Sequence, residues 1–580
     1  MVPHALRRAN EALLASEIPV EGAVGPRAGA VCRIALAYPN GYAAAMANLG
    51  FQSVYRVLNG VPGLSCERAF LPAARGERER RSGDGRTPLA TLESSTPLAD
   101  FHVVAFSCHF EEDYPNLPKV LALGRVPPLS ADRVPGRHPL VIVGGSGPLV
   151  NPEPLAPFAD LVVVGDGELT IPRLAAALTE TVDRDALVTR LLGHPGFYFP
   201  HLYAPIYEGA RFTGHRAEGP YPIPIARGQT IGYDGAPPQS ALIAPRAEFK
   251  EKFLIEVSRG CDFGCRFCTS GYHYLPTRVG TAEGVREAVE RAAKVTTEVG
   301  LISTAIASVP GIAGMIRELA ARGVKVATSS IRIDRITDEL CEALVAAKRR
   351  SVTIAPETGS ERVRRVMNKR ITNDDVLAAV EKLSRAGIPN VKLYLMVGLP
   401  GESMDDVNQM PPLVRRIRDV VLSHARPRGF AGTVTASVNA FIPKPWTPFQ
   451  WAPFERPGVL EGKLALLRRE LSREPNVKLQ IMSPRLAAVQ AYLARADRRA
   501  AVAMTGEGFD WDALGPVSVD VHRELHEERE PREAFPWEAI VHPVLRSYLA
   551  LEWRRALQEI TTEACPAPDP TCHRCGACPA

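Results

Sequence analysis

Two series of short, almost wholly apolar runs, separated by helix-length segments, constrain this chain more than any other feature. The first series is VCRIALAY (31–38), FHVVAFSC (101–108), PLVIVGG (139–145) and ADLVVVGDGE (159–168). The second is FLIEVSR (253–259), VGLIST (299–304), VKVATSS (324–330), SVTIAPE (351–357), VKLYLMVGLPGE (391–402) and TVTASVNAFIP (433–443). Runs of Val, Ile and Leu without polar alternation are strands buried on both faces, and strands alternating with helices form parallel sheets. The expected fold is therefore α/β twice over. A doubly wound Rossmann-like sheet spans 31–195, and six strand–helix repeats at 251–450 form a full or partial TIM-type barrel.

The remainder is read by composition. A helical leader (1–30) precedes the first sheet, and residues 196–250, rich in Pro, Gly, Tyr and His, form a β-rich connector. A mostly helical extension (451–560) and a cysteine-rich tail (561–580) follow the barrel. At 580 residues the chain exceeds what one core supports. With no run of about 18 apolar residues and no secretion-signal pattern, it is expected to be cytoplasmic, without a membrane partner. A net charge of +5 announces no polyanionic partner. The arginine runs RGERERR (75–81), RVRRVMNKR (362–370) and RADRR (495–499) read as solvated faces or loops, and RNA stays open as a substrate.

Seven of the eleven cysteines fall in two groups. Cys261, Cys265 and Cys268 share one turn after the first strand of the second series, spaced CxxxCxxC. Three thiolates aimed at one point bind an iron–sulfur cluster or zinc, and a closed site needs a fourth ligand that this stretch lacks. On a 4Fe-4S cube, three ligands leave one iron open.

With its preceding strand, its spacing and the flanking Gly260, Gly264 and Phe267, the turn resembles the defining motif of the radical S-adenosylmethionine (SAM) superfamily. That resemblance implies a 4Fe-4S cluster whose open iron binds SAM, its reductive cleavage to a 5′-deoxyadenosyl radical, and an electron donor of flavodoxin or ferredoxin type. Phe267 would shield the cluster from solvent. Polar groups at barrel strand ends face the site, so Ser330, Arg332 and Glu357 are candidate SAM contacts. VGLPGES (397–403) resembles the superfamily's adenine-approaching segment through Gly398 and Gly401. The usual glycine-rich stretch after the second strand is replaced by LISTAIAS, where Ser303 and Thr304 are the candidate donors.

The amino-terminal domain resembles the cobalamin-binding domain of cobalamin-dependent radical SAM enzymes. Its usual D-x-H-x-x-G signature is absent: Tyr42 stands at the histidine position, which excludes imidazole ligation of cobalt from there. Ser107, Gly144, Gly145, Gly165 and Glu168, at later strand ends, are candidates for cradling a nucleotide-like tail. From about residue 30 onward the chain resembles a family of largely uncharacterised bacterial radical SAM proteins with such a domain. YPNGYAAAMANLGFQSVYRVLN (38–59), IAPETGSERVRRVMNK (354–369), FIPKPWTPFQW (441–451) and CHRCGAC (572–578) carry that resemblance. FIPKPWTPFQW is expected to be mainly core packing, with Lys444 the member near a substrate.

In the tail, Cys565, Cys572, Cys575 and Cys578 could close a zinc site or hold a second iron–sulfur cluster. The leading functional expectation is a radical SAM transferase, cobalamin-dependent, acting on a C–H bond. The alternatives are a cobalamin-independent enzyme such as an RNA or protein methylthiotransferase, and a non-catalytic iron–sulfur sensor or RNA-binding protein.

Overall fold

The computed structural model describes all residues except 1–3, 73–88, 231, 234–236, 505–507, 567–571 and 579–580. The RGERERR run lies outside the described residues.

The first sheet is built from β1 (Cys32–Tyr38), β2 (Leu64–Phe70), β3 (Val103–Ser107), β4 (Leu140–Gly144), β5 (Leu161–Val163) and β6 (Phe197–Tyr198), in spatial order β2-β1-β3-β4-β5-β6. All neighbours are parallel except β6, which runs antiparallel to β5 through Val162↔Tyr198. β2 was absent from the apolar series because LSCERAF carries Glu67 and Arg68, yet the strand is buried throughout. Arg68 can lie in the core because Glu17 and Glu93 each pair with it at 2.7 Å and it stacks over the Tyr55 ring. Asn48 caps the helix Leu49–Gly60 by accepting from the Phe51 amide at 2.9 Å.

Within the connector, a hairpin of β7 (Tyr203–Glu208) and β8 (Arg211–Ala217) precedes a short antiparallel pairing of Leu242–Ile243 with Ile18–Pro19. The barrel strands are β9 (Phe253–Glu256), β10 (Glu298–Ile302), β11 (Lys325–Thr328), β12 (Ser351–Glu357), β13 (Asn390–Val397) and β14 (Thr433–Ala440). They form two parallel sheets, β9-β10-β11 and β12-β13-β14, joined by a parallel bridge between Ile331 and Ile354. A seventh strand, β15 (Val477–Ile481), adds parallel to β14. The expectation of a mostly helical extension over 451–560 missed it, because its residues are only half buried and exposed on alternate positions. Between strands, Thr281 caps Ala282–Ala293, and Thr372 with Asp375 forms a capping box on Asn373–Ala386, which Gly387 ends in the left-handed conformation.

The carboxyl edges of the two α/β units face each other. Asp166, just past β5, accepts from Arg278 at 2.5 Å and from Arg259 at 3.1 Å, while Glu168 accepts from Arg259 at 2.8 Å. Glu111, past β3, pairs with Lys444 at 2.6 Å, past β14. RADRR is not a solvated face but part of this seam. The buried Arg495 donates to the carbonyls of Ala452 and Glu524, and Arg498 pairs with the buried Glu153 at 2.8 Å. Arg364 of the other described run is likewise buried, on the carbonyls of Pro356 and Thr358.

Behind the barrel, Phe441, Phe449, Trp451, Phe535, Trp537 and Trp553 form a second core. Truncating any one of these rings costs about 3–5 kcal/mol. This is the packing role expected for FIPKPWTPFQW, and it joins the carboxyl-terminal extension to the barrel.

Candidate active site

The turn carrying Cys261, Cys265 and Cys268 starts where β9 ends. Gly260 adopts φ +94°, and a Cβ there would stand 2.4 Å from the Tyr274 carbonyl oxygen, so the tight return needs glycine. Gly264, at φ +64°, offers its carbonyl to Asn368 Nδ2 at 3.0 Å and to the Tyr272 hydroxyl at 3.2 Å. The three thiols share an apolar shell of Phe263, Phe267, Ala305 and Ala564. Burial pushes the Cys261 thiol up to about 12 and raises that of Cys268, and the neighbouring thiols raise both further. A bound cation is what would hold such thiolates ionised. The amides of Ser270 and Gly271 bond to Cys268 and favour its thiolate.

Arg332 comes from the end of β11 to this shell. Its guanidinium lies 3.5 Å over the Phe263 ring, with Nη1 3.9 Å from Cys265 Sγ, and Asp334 steadies it at 2.9 Å. Ser303 and Thr304 flank the turn: Ser303 Oγ lies 2.5 Å from Ser258 Oγ, and the Thr304 hydroxyl donates to the Gly260 carbonyl. Ser330 is half-buried after β11. Glu357 is buried at the end of β12 with φ +65°, its carboxylate bonded to Lys369 at 2.7 Å. Gly398, φ +83°, donates to Glu402 at 2.7 Å, and the Gly401 carbonyl accepts from Arg362 at 2.6 Å.

In the amino-terminal unit the named residues serve the chain's own contacts. The Tyr42 hydroxyl donates to Glu17 at 2.7 Å. A Cβ on Gly145 would meet the Cys108 carbonyl oxygen at 2.2 Å, and one on Gly165 the Gly228 carbonyl oxygen at 2.4 Å. Gly144 ends β4, opposite Ser107. His109 stands at the β1/β3 switch point, where an open sheet binds ligands. It stacks on Tyr38 with Nε2 2.9 Å from Ser107 Oγ and Nδ1 3.1 Å from Ser146 Oγ. Burial lowers its pKa to about 4, so it is neutral.

Two features escaped sequence reasoning because they are assembled from distant segments. Arg266, between the second and third cysteines, is fully buried and anchors the carboxyl-terminal extension. It donates to Glu552 Oε2 at 3.0 Å and to the carbonyls of Ile560 and Val366 at 2.7 and 3.0 Å. Where connector, barrel and extension meet, Arg227, His273 and His542 lie together beside the turn. Among the described residues, all three guanidinium nitrogens of Arg227, His273 Nδ1 and His542 Nε2 are buried without a hydrogen-bond partner. Burial and nearby Arg227 keep both imidazoles neutral, His273 at about 3 and His542 well below its usual value. Trp446 stacks on His542 at 4.6 Å.

Residues 50–200 match the family described as radical SAM proteins, N-terminal, and residues 255–410 match the radical SAM superfamily. The chain belongs to the radical SAM superfamily and is an enzyme of that class. It is 26% identical over 411 residues to an uncharacterised protein of Methanocaldococcus jannaschii, covering 70% of this chain and 80% of that one. It is 28% identical over 250 residues to tRNA-2-methylthio-N(6)-dimethylallyladenosine synthase of Cereibacter sphaeroides, covering 41% of this chain and 52% of the relative. Among solved structures it is similar to the radical SAM methyltransferase TsrM of Kitasatospora setae, at TM-score 0.46 and 15% identity over 70% of this chain and 72% of that one. The chain spans about half the length of the methylthiotransferase relative.

Membership implies a 4Fe-4S cluster and SAM, and the turn fits them: three thiols in one apolar shell, amide donors at Cys268 and a cation at Cys265. Cys261, Cys265 and Cys268 would ligate the cluster. No helix among the described residues is long and apolar enough to cross a membrane.

Proposed function

We propose that this enzyme transfers a one-carbon group to an unactivated carbon of an anionic substrate, with cobalamin held between the two facing carboxyl edges. The placement of the three-cysteine turn at the seam where those edges meet carries the reading, because a donor on one unit and a substrate on the other would share one enclosed site. When bound, the cluster and SAM supply a 5′-deoxyadenosyl radical, and cobalamin a methyl group. Phe263 and Phe267 exclude water from the turn, and Arg332 keeps positive charge beside it. The Arg227 guanidinium, without a hydrogen-bond partner among the described residues, and the neutral His542 Nε2 donor beside it support recognition of a carboxylate or phosphate.

A second reading, cobalamin-independent methylthiolation of RNA or protein, is favoured by the four thiols that stand beside the turn and agrees with the relatives' names. Cobalt content after anaerobic purification with cobalamin supplied separates the two. Cobalt near one per chain supports the first reading, and its absence together with a product heavier by a methylthio group overturns it. For the substrate anion, R227Q should abolish the thermal stabilisation that wild type gains from inorganic phosphate or acetate. An equal shift in both proteins would remove the anionic substrate from the proposal.

A further inference from the structure

The tail cysteines are folded against the back of the cluster turn. The Cys565 amide donates to the Asp262 carbonyl at 2.7 Å, one residue from Cys261, and Ala564 packs in the shell of the three turn cysteines. Just upstream, the Thr562 amide donates to Asn368 Oδ1 at 2.8 Å, and the same Asn368 bonds to Gly264 of the turn. On the other side, the Cys575 carbonyl accepts from the Leu545 amide at 2.8 Å, and Gly576, at φ +82°, turns the chain against the Leu545 side chain. The tail is thus fastened at both ends of its cysteine group. Cys565, Cys572, Cys575 and Cys578 line one cleft together with Cys261 and Tyr548.

We infer that these four cysteines hold a second 4Fe-4S cluster, closed by protein ligands, directly behind the SAM-binding one. The inference rests on the radical SAM assignment of the turn but concerns a separate ligand set. Four cysteines are a complete ligand set for a closed cube, and the cleft they share with Cys261 sets that cube beside the turn cluster, a placement that electron transfer requires and a structural zinc does not.

With four cysteine ligands this cluster has no iron free for SAM, and its position gives it a different task. It passes single electrons inward. A donor of flavodoxin or ferredoxin type is oxidised by one electron, the tail cluster is reduced and reoxidised in turn, and the turn cluster gains that electron; no bond forms or breaks.

The test uses the full chain, reconstituted anaerobically with iron and sulfide. Wild type should bind about eight irons per chain, and both C572S/C575S and C261S/C265S/C268S about four. After reduction, the spectrum of C572S/C575S should change when SAM is added, and that of the turn variant should not. The ratio of 5′-deoxyadenosine formed with reduced flavodoxin to that formed with dithionite should fall about tenfold in C572S/C575S. About four irons with one zinc in wild type overturns the cluster, and an unchanged ratio overturns the electron route. A wild type that binds about eight irons but forms no 5′-deoxyadenosine contradicts the enzyme assignment and leaves the tail cluster standing.

Discussion

Arg266 and Glu552 form a fully buried ion pair, 3.0 Å between Nη2 and Oε2, that joins the middle of the cysteine turn to the helix Arg546–Leu557. Each is at most 1% exposed. Removing one member leaves the other charged in a dry interior, which costs about 3–5 kcal/mol. E552A should therefore lower the thermal midpoint of the cluster-free protein and reduce its iron uptake on reconstitution. Wild-type values for both would show that the extension does not support the turn.

Arg332 places a positive charge beside Cys265. A cation stabilises the more negative, reduced cluster, so R332Q should lower its reduction potential. Asp334 partly offsets that charge, and the expected shift is about 60 mV, a tenfold change in a one-electron equilibrium. A redox titration followed by electron paramagnetic resonance measures it. A potential that stays put or rises would show that Arg332 does not act through its charge.

Gly165 separates a structural from a cofactor role. The Gly228 backbone occupies the space a side chain would need, so G165A should be destabilised by about 1–3 kcal/mol even without cofactors. If the glycine serves only a cofactor's tail, the cofactor-free variant will melt with wild type.

Asp113 makes the amino-terminal unit pH-sensitive. Burial, helped by Glu112 and opposed by its Asn40 hydrogen bond, raises its pKa from 3.8 to about 6. Between those values the unfolded chain has released the proton and the folded chain keeps it. Stability from this group is therefore greatest below 3.8, falls as pH rises toward 6, and stays reduced above it. D113N removes the charge and should gain up to about 3 kcal/mol at pH 7.5 and nothing at pH 3.5. Denaturant midpoints at the two pH values check this, and an equal effect at both would contradict it.

What the sequence reveals and conceals follows contact range. The turn is legible because its ligands lie within eight residues, and the buried strands because continuous Val, Ile and Leu admit few other readings. β2 hides because Arg68 finds its partners at Glu17 and Glu93, far along the chain. The arginines of RADRR look solvated until Glu153 and the carbonyls beside them come into view. Gly165 and Glu168 stand out at a strand end, but their contacts with Gly228 and Arg259 belong to another unit's backbone and charge. Arg227, His273 and His542 carry no spacing signal at all.

The central claim is tested most directly by incubating the anaerobically reconstituted protein with SAM and dithionite and quantifying 5′-deoxyadenosine by mass spectrometry. Wild type is predicted to form it and C265A to form none. Wild type that binds iron at the turn yet forms no 5′-deoxyadenosine, or C265A that matches wild type, would contradict the account.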